Sequence, residues 1–280
     1  MRLHDYLQRV GMTDANHSVP PPTVETLRRL HVAHREAFLF ENLSIQGGGS
    51  IDVAVDAIER KFLDDGRGGY CFEHNTLFGA ALGDVGFDVT ALLGRVRRGP
   101  REGWCRTHMV LRVIVGGQPW LADVGFGALG LLEPMALSEG ATTSQVGLTY
   151  ALGRENGLWV LSCSGSPFLH RGAEPLGLDG NATTDLYEFS EDAQTAGDVE
   201  VANHYTSTHP GSIFRRTLTI QRTTRVERTL LRSGMLTRYL GGEVTEHTVG
   251  RDELPRVVRE VFGVDLPAGP LVFDGYAAAT

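Results

Sequence analysis

Cys71-Phe72-Glu73-His74-Asn75-Thr76-Leu77-Phe78-Gly79-Ala80-Ala81-Leu82-Gly83-Asp84-Val85-Gly86 is followed by Val89-Thr90-Ala91-Leu92-Leu93-Gly94-Arg95-Val96, and the apolar period changes between the two. In the first stretch Phe72, Leu77, Phe78, Ala81, Leu82 and Val85 fall on adjoining helical positions, and Gly86 ends the helix. The second is short and rich in aliphatic and β-branched residues, which predicts a strand. Upstream, the helical reading continues. Leu3, Tyr6, Leu7 and Val10 make one apolar stripe. Pro20-Pro21-Pro22 forbids helix, and Thr23 can cap a new one that buries Leu27, Leu30, His34 and Phe38. A third helix, capped by Asp52, carries Ile51, Val55, Ile58 and Phe62 up to the Asp64-Asp65-Gly66 break. Downstream, His108–Val115, Trp120–Val124, Leu148–Leu152 and Leu158–Cys163 read as strands. Asp179–Asp198 reads as a loop-rich connection, Phe214–Leu231 alternates again, and Glu253–Phe262 closes as a helix stopped by Gly263. The expected class is α+β in three parts.

Composition limits the partners. The formal charge of −8, from 26 basic and 34 acidic residues, repels nucleic acid and anionic membrane, which favours small molecules. No apolar run has the length of a signal peptide core or a membrane span, so a cytoplasmic protein is expected. Three cysteines, Cys71, Cys105 and Cys163, are too few and odd in number for a disulfide framework, and free thiols are then available for chemistry. Asn181-Ala182-Thr183 matches a glycosylation acceptor, inert without a secretory route.

In Arg67-Gly68-Gly69-Tyr70-Cys71-Phe72-Glu73-His74-Asn75, two glycines permit a tight turn and deliver Cys71 to a helix N-terminus. Unpaired N–H groups and the dipole there stabilise a thiolate; Arg67 adds positive charge and Glu73 opposes it. The competing reading makes Cys71 a small buried hydrophobe. Cys105, in a charged loop, and Cys163, at a strand end, lack such a setting.

A base and an orienter are available in the segments around Gly116-Gly117, a hairpin signal between apolar runs. With a two-residue loop, Val115 faces Gln118 and Asp123 comes opposite Val110. His108 is then its diagonal neighbour on the same face, at about 7–8 Å between Cβ atoms. Pro119 cannot donate to a ladder and admits a longer loop, and a three-residue loop would put the two side chains on opposite faces. Should the pair form, Cys71, His108 and Asp123 have the order nucleophile, base and orienter, with thiolate and imidazolium coexisting at rest. Taken singly, His108 and Asp123 also suit a satisfied histidine and a strand-end acid.

Three blocks, Arg67–Asn75, Thr107-His108-Met109 and Leu121-Ala122-Asp123-Val124-Gly125-Phe126-Gly127, resemble the catalytic blocks of the arylamine N-acetyltransferases. Phe40-Glu41-Asn42-Leu43 resembles an upstream block, and Ser207-Thr208-His209-Pro210 with Ser212-Ile213-Phe214 extends the likeness to the last third. The resemblance implies an N-terminal helical bundle over residues 1–86, a central antiparallel β-barrel-like domain over 87–198 and a C-terminal α/β lid over 199–280, around a cysteine-protease-like Cys-His-Asp core. It implies a ping-pong cycle in which Cys71 takes an acetyl group from acetyl-CoA and passes it to an arylamine, arylhydroxylamine or hydrazine. It further implies CoA contacts at Thr107, Gly125, Phe126 and Gly127, an acceptor pocket walled by Phe40 and Phe126, and no metal. The backbone N–H of Cys71 suits an oxyanion donor. Leu39 and His204 depart from the family pattern. Arg97, Arg98, Arg101 and Arg106 form either a solvated loop or a contact for phosphates of CoA or of a carrier-protein arm.

Other readings remain open. Some relatives resemble amide synthases that join a polyketide, held as a phosphopantetheine thioester on an acyl carrier protein, to an aryl amine. Cysteine hydrolases and transglutaminases share the triad order, although the glycine-flanked Phe126 argues against them. Cys71 with His74, and His204 with His209, have metal-ligand types without the paired spacing of a structural zinc site.

Overall fold

The computed structural model describes residues 1–13, 18–165 and 183–273. It opens with helix α1 (Leu3–Arg9), which buries Tyr6 and Leu7. Helix α2 (Val24–Ala37) starts where Thr23 accepts a hydrogen bond from the Thr26 N–H. Its C-cap, Phe38, leads into strand β1 (Phe40–Glu41) and the short helix α3 (Leu43–Gln46). Helix α4 (Val55–Glu59) runs on into a π turn, Arg60–Asp64. Its N-cap is Ala54 rather than Asp52; the Asp52 carboxylate instead accepts from the Ala54 N–H at 2.9 Å. Helix α5 (Cys71–Val85) ends at Gly86, whose φ of 105° is cheap only for glycine.

Eight antiparallel strands follow. They are β2 (Asp88–Val96), β3 (His108–Val115), β4 (Gln118–Ala122), β5 (Met135–Ala136), β6 (Thr142–Gln145), β7 (Leu148–Glu155), β8 (Leu158–Gly165) and β9 (Thr183–Phe189), in the sheet order β5-β4-β3-β2-β9-β8-β7-β6. The ends of the sheet come together. Gln145 on β6 accepts from the N–H groups of Leu132 and Glu133, just ahead of β5 at the opposite edge, at 2.7 and 2.9 Å. The sheet is therefore barrel-like. β3 serves both of its faces: Met109, Leu111, Val113 and Val115 pack on the helices, while Val110 points into the barrel interior with Leu92, Leu121 and Leu161.

The last part contains helix α6 (Ala196–Thr208), helix α7 (Ile213–Arg216), strands β10 (Thr219–Thr223), β11 (Glu227–Arg232), β12 (Met235–Leu240) and β13 (Glu243–Thr248), and helix α8 (Leu254–Val257) with a π turn, Val258–Phe262. The stretch expected to be a loop over Asp179–Asp198 holds β9 and the start of α6 within its described part. A capping box, Thr195 with Asp198, starts that helix. The alternation expected from Phe214 begins only after α7. Of the glycosylation pattern, Asn181 and Ala182 lie outside the described residues. The second sheet has the order β1-β10-β11-β12-β13, so Phe40 pairs with Gln221 across more than half of the chain. Among the described residues no helix is long and apolar enough to cross a membrane.

Candidate active site

Cys71 occupies the first turn of α5 because the chain before it is clamped. Gly69 N–H donates to Leu39 O at 3.2 Å and Glu41 N–H to Gly69 O at 2.7 Å. Gly68 is required there for space rather than for a turn: a Cβ would lie 1.8 Å from Leu39 O. Glu73 reaches back to accept from the Tyr70 N–H at 3.1 Å and is held by Lys61 at 2.7 Å. Arg67 turns away from the sulfur and pairs with Glu41 at 2.8 Å. The positive charge expected near Cys71 from Arg67 is thus spent on a buried carboxylate.

The hairpin has a two-residue loop. Val115 pairs with Gln118 and Leu111 with Ala122, and Gly116 and Gly117 have φ of 58° and 78°. Because Val115 and Gln118 form the hydrogen-bonded pair next to such a loop, Pro119 falls in a non-bonded pair with Ile114 and its missing N–H costs the β3–β4 ladder nothing. His108 and Asp123 accordingly share a face, and His108 Nε2 lies 2.8 Å from Asp123 Oδ2. The other carboxylate oxygen accepts from Asn75 Nδ2 at 3.1 Å and from the Gly125 N–H at 2.9 Å. Burial alone would raise the Asp123 pKa, but His108, Asn75 and Gly125 outweigh it and hold the carboxyl down at about 2.

Cys71 Sγ donates to Thr107 O at 3.6 Å, so the sulfur sits against the residue that precedes His108. With Nε2 committed to Asp123, Nδ1 is the ring nitrogen left to exchange a proton with the thiol. Burial pushes the Cys71 thiol up, with Asp123 and Glu73 acting in the same direction. Burial and the helix terminus therefore act on the sulfur in opposite directions. A base that takes its proton favours the ionised sulfur.

Cys71, Thr107, His108, Gly125, Phe126 and Phe40 line one cleft, closed on its far side by Phe214 and Gln221 of the C-terminal part. Gly127 does not line it. Its flank is filled by Gln221, and its carbonyl accepts from Arg35 at 2.6 Å. Phe126 meets the His108 ring edge-on at 5.0 Å between centroids, and Tyr187 lies against the same ring at 4.8 Å.

Three supporting residues carry no distinctive signal in the sequence or only a weak one. Asn75, one helical turn after Cys71, uses its amide to join Asp123, Met109 O and the Val124 N–H; its spacing from Cys71 was the available clue. His31 accepts from the Asp123 N–H at 3.1 Å and donates to Leu132 O at 2.8 Å, and burial drives it down to about 4, which fixes it neutral. Tyr187 is indistinguishable from any inward strand aromatic. His74, read as a possible metal ligand, is engaged at both ring nitrogens by His34 and Leu39 O. Among the described residues no group of three or more His, Cys, Asp or Glu side chains is arranged to hold a metal ion.

A family profile described as N-acetyltransferase matches residues 23–271. The arylamine N-acetyltransferase / N-hydroxyarylamine O-acetyltransferase of Salmonella typhimurium is 37% identical over 77% of this chain and 71% of its own. The arylamine N-acetyltransferase of Mycolicibacterium smegmatis is 34% identical over 95% of this chain and 93% of its own. Among solved structures, the M. smegmatis arylamine N-acetyl transferase superposes with a TM-score of 0.84 at 32% identity, covering 99% of this chain and 98% of that one. The Mycobacterium marinum arylamine N-acetyltransferase in complex with CoA gives 0.81 at 30% identity, covering 94% and 92%.

Proposed function

Since the chain belongs to the arylamine N-acetyltransferase family and is an acyltransferase of that kind, we propose that it moves an acetyl group from acetyl-CoA through a thioester on Cys71 to an aromatic amine. The observation that carries this reading is one cleft lined by both Cys71 and His108, whose Nε2 is tied to Asp123.

In the first half-reaction the Cys71 proton passes to His108 Nδ1 as the sulfur attacks the acetyl carbonyl carbon. Asp123 keeps the imidazole oriented and stabilises its positive charge. The first-turn N–H of Cys71, which has no carbonyl partner within its own helix, is available to the oxyanion. Collapse breaks the bond to the CoA sulfur, which takes the proton back from His108. In the second half-reaction the amine attacks the Cys71 thioester, His108 accepts the amine proton, and the Cys71 sulfur leaves and is reprotonated. Phe40, Phe126 and Phe214 give flat apolar walls for an aromatic acceptor.

Burial serves the chemistry. Cys71 is buried, which limits the access of water to the thioester once it forms. The test is mass spectrometry of the protein after incubation with acetyl-CoA alone, followed by addition of an arylamine. An acetyl adduct on the Cys71 peptide, discharged by the amine with release of the acetanilide, is expected. Cys71→Ala should fold with an unchanged melting temperature and lose turnover entirely; acetyl transfer by that variant would end the proposal.

A further inference from the structure

We propose that Arg232, with Arg98 beside it, forms a carboxylate subsite inside the cleft, so that the preferred acceptor is an aromatic amine bearing an acid group. The proposal rests on the reading of this cleft as the aromatic-amine site.

Two arginines stand on the same face of β11 and are used in opposite ways. Arg228 is saturated: its guanidinium donates to Ala128 O, to Gly130 O at 3.2 Å, to Val146 O at 3.2 Å, to Gln145 O at 3.3 Å and to the Tyr150 hydroxyl at 3.0 Å. Arg232, four residues later, is only 3% exposed and lines the cleft with Cys71, yet its side chain makes no hydrogen bond or ion pair with the described residues. Its Nε is buried without a partner. A guanidinium desolvated in this way is normally compensated by an acid or a set of carbonyls.

The charges around it make the deficit larger. Arg98, which also lines the cleft, is the charged group that acts on Arg232, and Arg216 acts in turn on Arg98. Burial pushes Arg232 down to about 10, with Arg98 adding to the effect, so the group is still charged at neutral pH. No acid lines the cleft among the described residues, and the neighbouring Arg97 points to acids of its own, Asp185 at 2.6 Å and Glu188 at 3.0 Å. The Trp104 indole holds the Arg98 and Gly99 carbonyls, both at 3.0 Å, which fixes the loop that presents Arg98. Among the described residues of a chain of net charge −8, this cationic spot stays uncompensated in a cleft that also presents Phe40, Phe126 and Phe214.

A carboxylate answers this arrangement. Its two oxygens match the guanidinium fork, and the ring that carries it meets Phe40, Phe126 and Phe214. No covalent step is involved: the acid is bound, while the amine at the other end of the ring faces Cys71.

The experiment is calorimetric titration of the whole protein with 4-aminobenzoate, 4-toluidine and CoA, in the absence of any acyl donor, for the wild type, Arg232→Gln and Arg98→Gln. For 4-aminobenzoate we expect a loss of at least about tenfold in affinity in Arg232→Gln, a smaller loss in Arg98→Gln, and less than about twofold change for 4-toluidine. Arg232→Gln removes an uncompensated buried charge, so its melting temperature without ligand should equal or exceed that of the wild type. Equal wild-type affinity for 4-aminobenzoate and 4-toluidine would overturn the proposal. So would an equal loss for both amines in Arg232→Gln, or a loss confined to CoA, which would assign the cation to the donor's phosphates. Because no acyl donor is present, Arg232-dependent binding in a protein unable to transfer acetyl would sink the proposed function and leave the subsite standing.

Discussion

At the scale of single residues the site is a packing problem as much as a chemical one. A Cβ on Gly125 would come within 2.7 Å of the Cys71 Cα and 2.6 Å of Asn75 Nδ2, so Gly125→Ala must push the nucleophile's backbone away from the carboxylate that Asn75 holds. It should cost about 1–3 kcal/mol of stability and lower turnover at least tenfold. Gly83 makes the contrast: nothing lies within 4 Å of its Cβ position, and Gly83→Ala inside α5 should raise stability by about 0.5–1 kcal/mol with activity unchanged. Thermal melts and initial rates on the pair check both. His108→Ala tests the coupling between thiol and base. With burial pushing Cys71 up and no imidazole to take its proton, alkylation by iodoacetamide near neutral pH should slow by about 100-fold and recover only in strong alkali. A wild-type rate in that variant would mean that the sulfur ionises without His108. Much of this site could be read beforehand, since Cys71, His108 and Asp123 stand in short, unusual motifs. Arg232 could not, because an arginine in an alternating strand announces nothing about whether its partners exist.

At the scale of elements, the hairpin of β3 and β4 decides whether base and carboxylate meet. Its register follows from a turn that needs positive φ at two successive residues, and Gly116-Gly117 is a sequence that supplies it. Gly117→Val should therefore cost about 1–3 kcal/mol and reduce turnover by disturbing the pair, whereas Gly116→Asn should be tolerated. Urea unfolding with parallel rate measurements separates the two. Strands with strong apolar runs were legible in this way. The pair β12 and β13 was not: β13 reads Glu243-Val244-Thr245-Glu246-His247-Thr248 and is almost wholly exposed, so it has no buried face to impose a period on its sequence. Helix α6 was missed for a related reason. Its buried residues, Val199, Asn203, Thr206 and Ser207, are mostly polar, and only the Thr195 and Asp198 capping box marked its start.

At the scale of the whole molecule, three buried histidines tie stability to pH. His31 is held down to about 4 and His74 to about 3, His34 is also lowered well below its ordinary value, and burial is the first cause in each. Their unfolded counterparts titrate near 6.5, so below that pH the unfolded chain binds more protons than the folded one and stability falls with acidity. Each histidine contributes a slope of about 1.4 kcal/mol per pH unit between about 6.5 and 4. Urea midpoints measured from pH 7.5 to 5 should drop steeply and then be restored on return to neutral pH; a flat profile would mean that these rings are reached by protons in the native state. The α+β class was foreseeable from the change of period at Gly86, and the barrel-like sheet only from the family resemblance. The sharing of one sheet between Phe40-Glu41 and the last third of the chain was not, because two residues are too few to carry any pattern.

That shared sheet has a consequence for the order of synthesis. A ribosome releases Cys71, His108 and Asp123 well before it releases Thr219–Thr223, the strand against which Phe40 is stitched. Until then the thiol lacks the wall that Gln221 and Phe214 give its cleft. A nascent chain thus carries all of its reactive groups for some time without the enclosure that lets them be used, and competence arrives only near the end of translation.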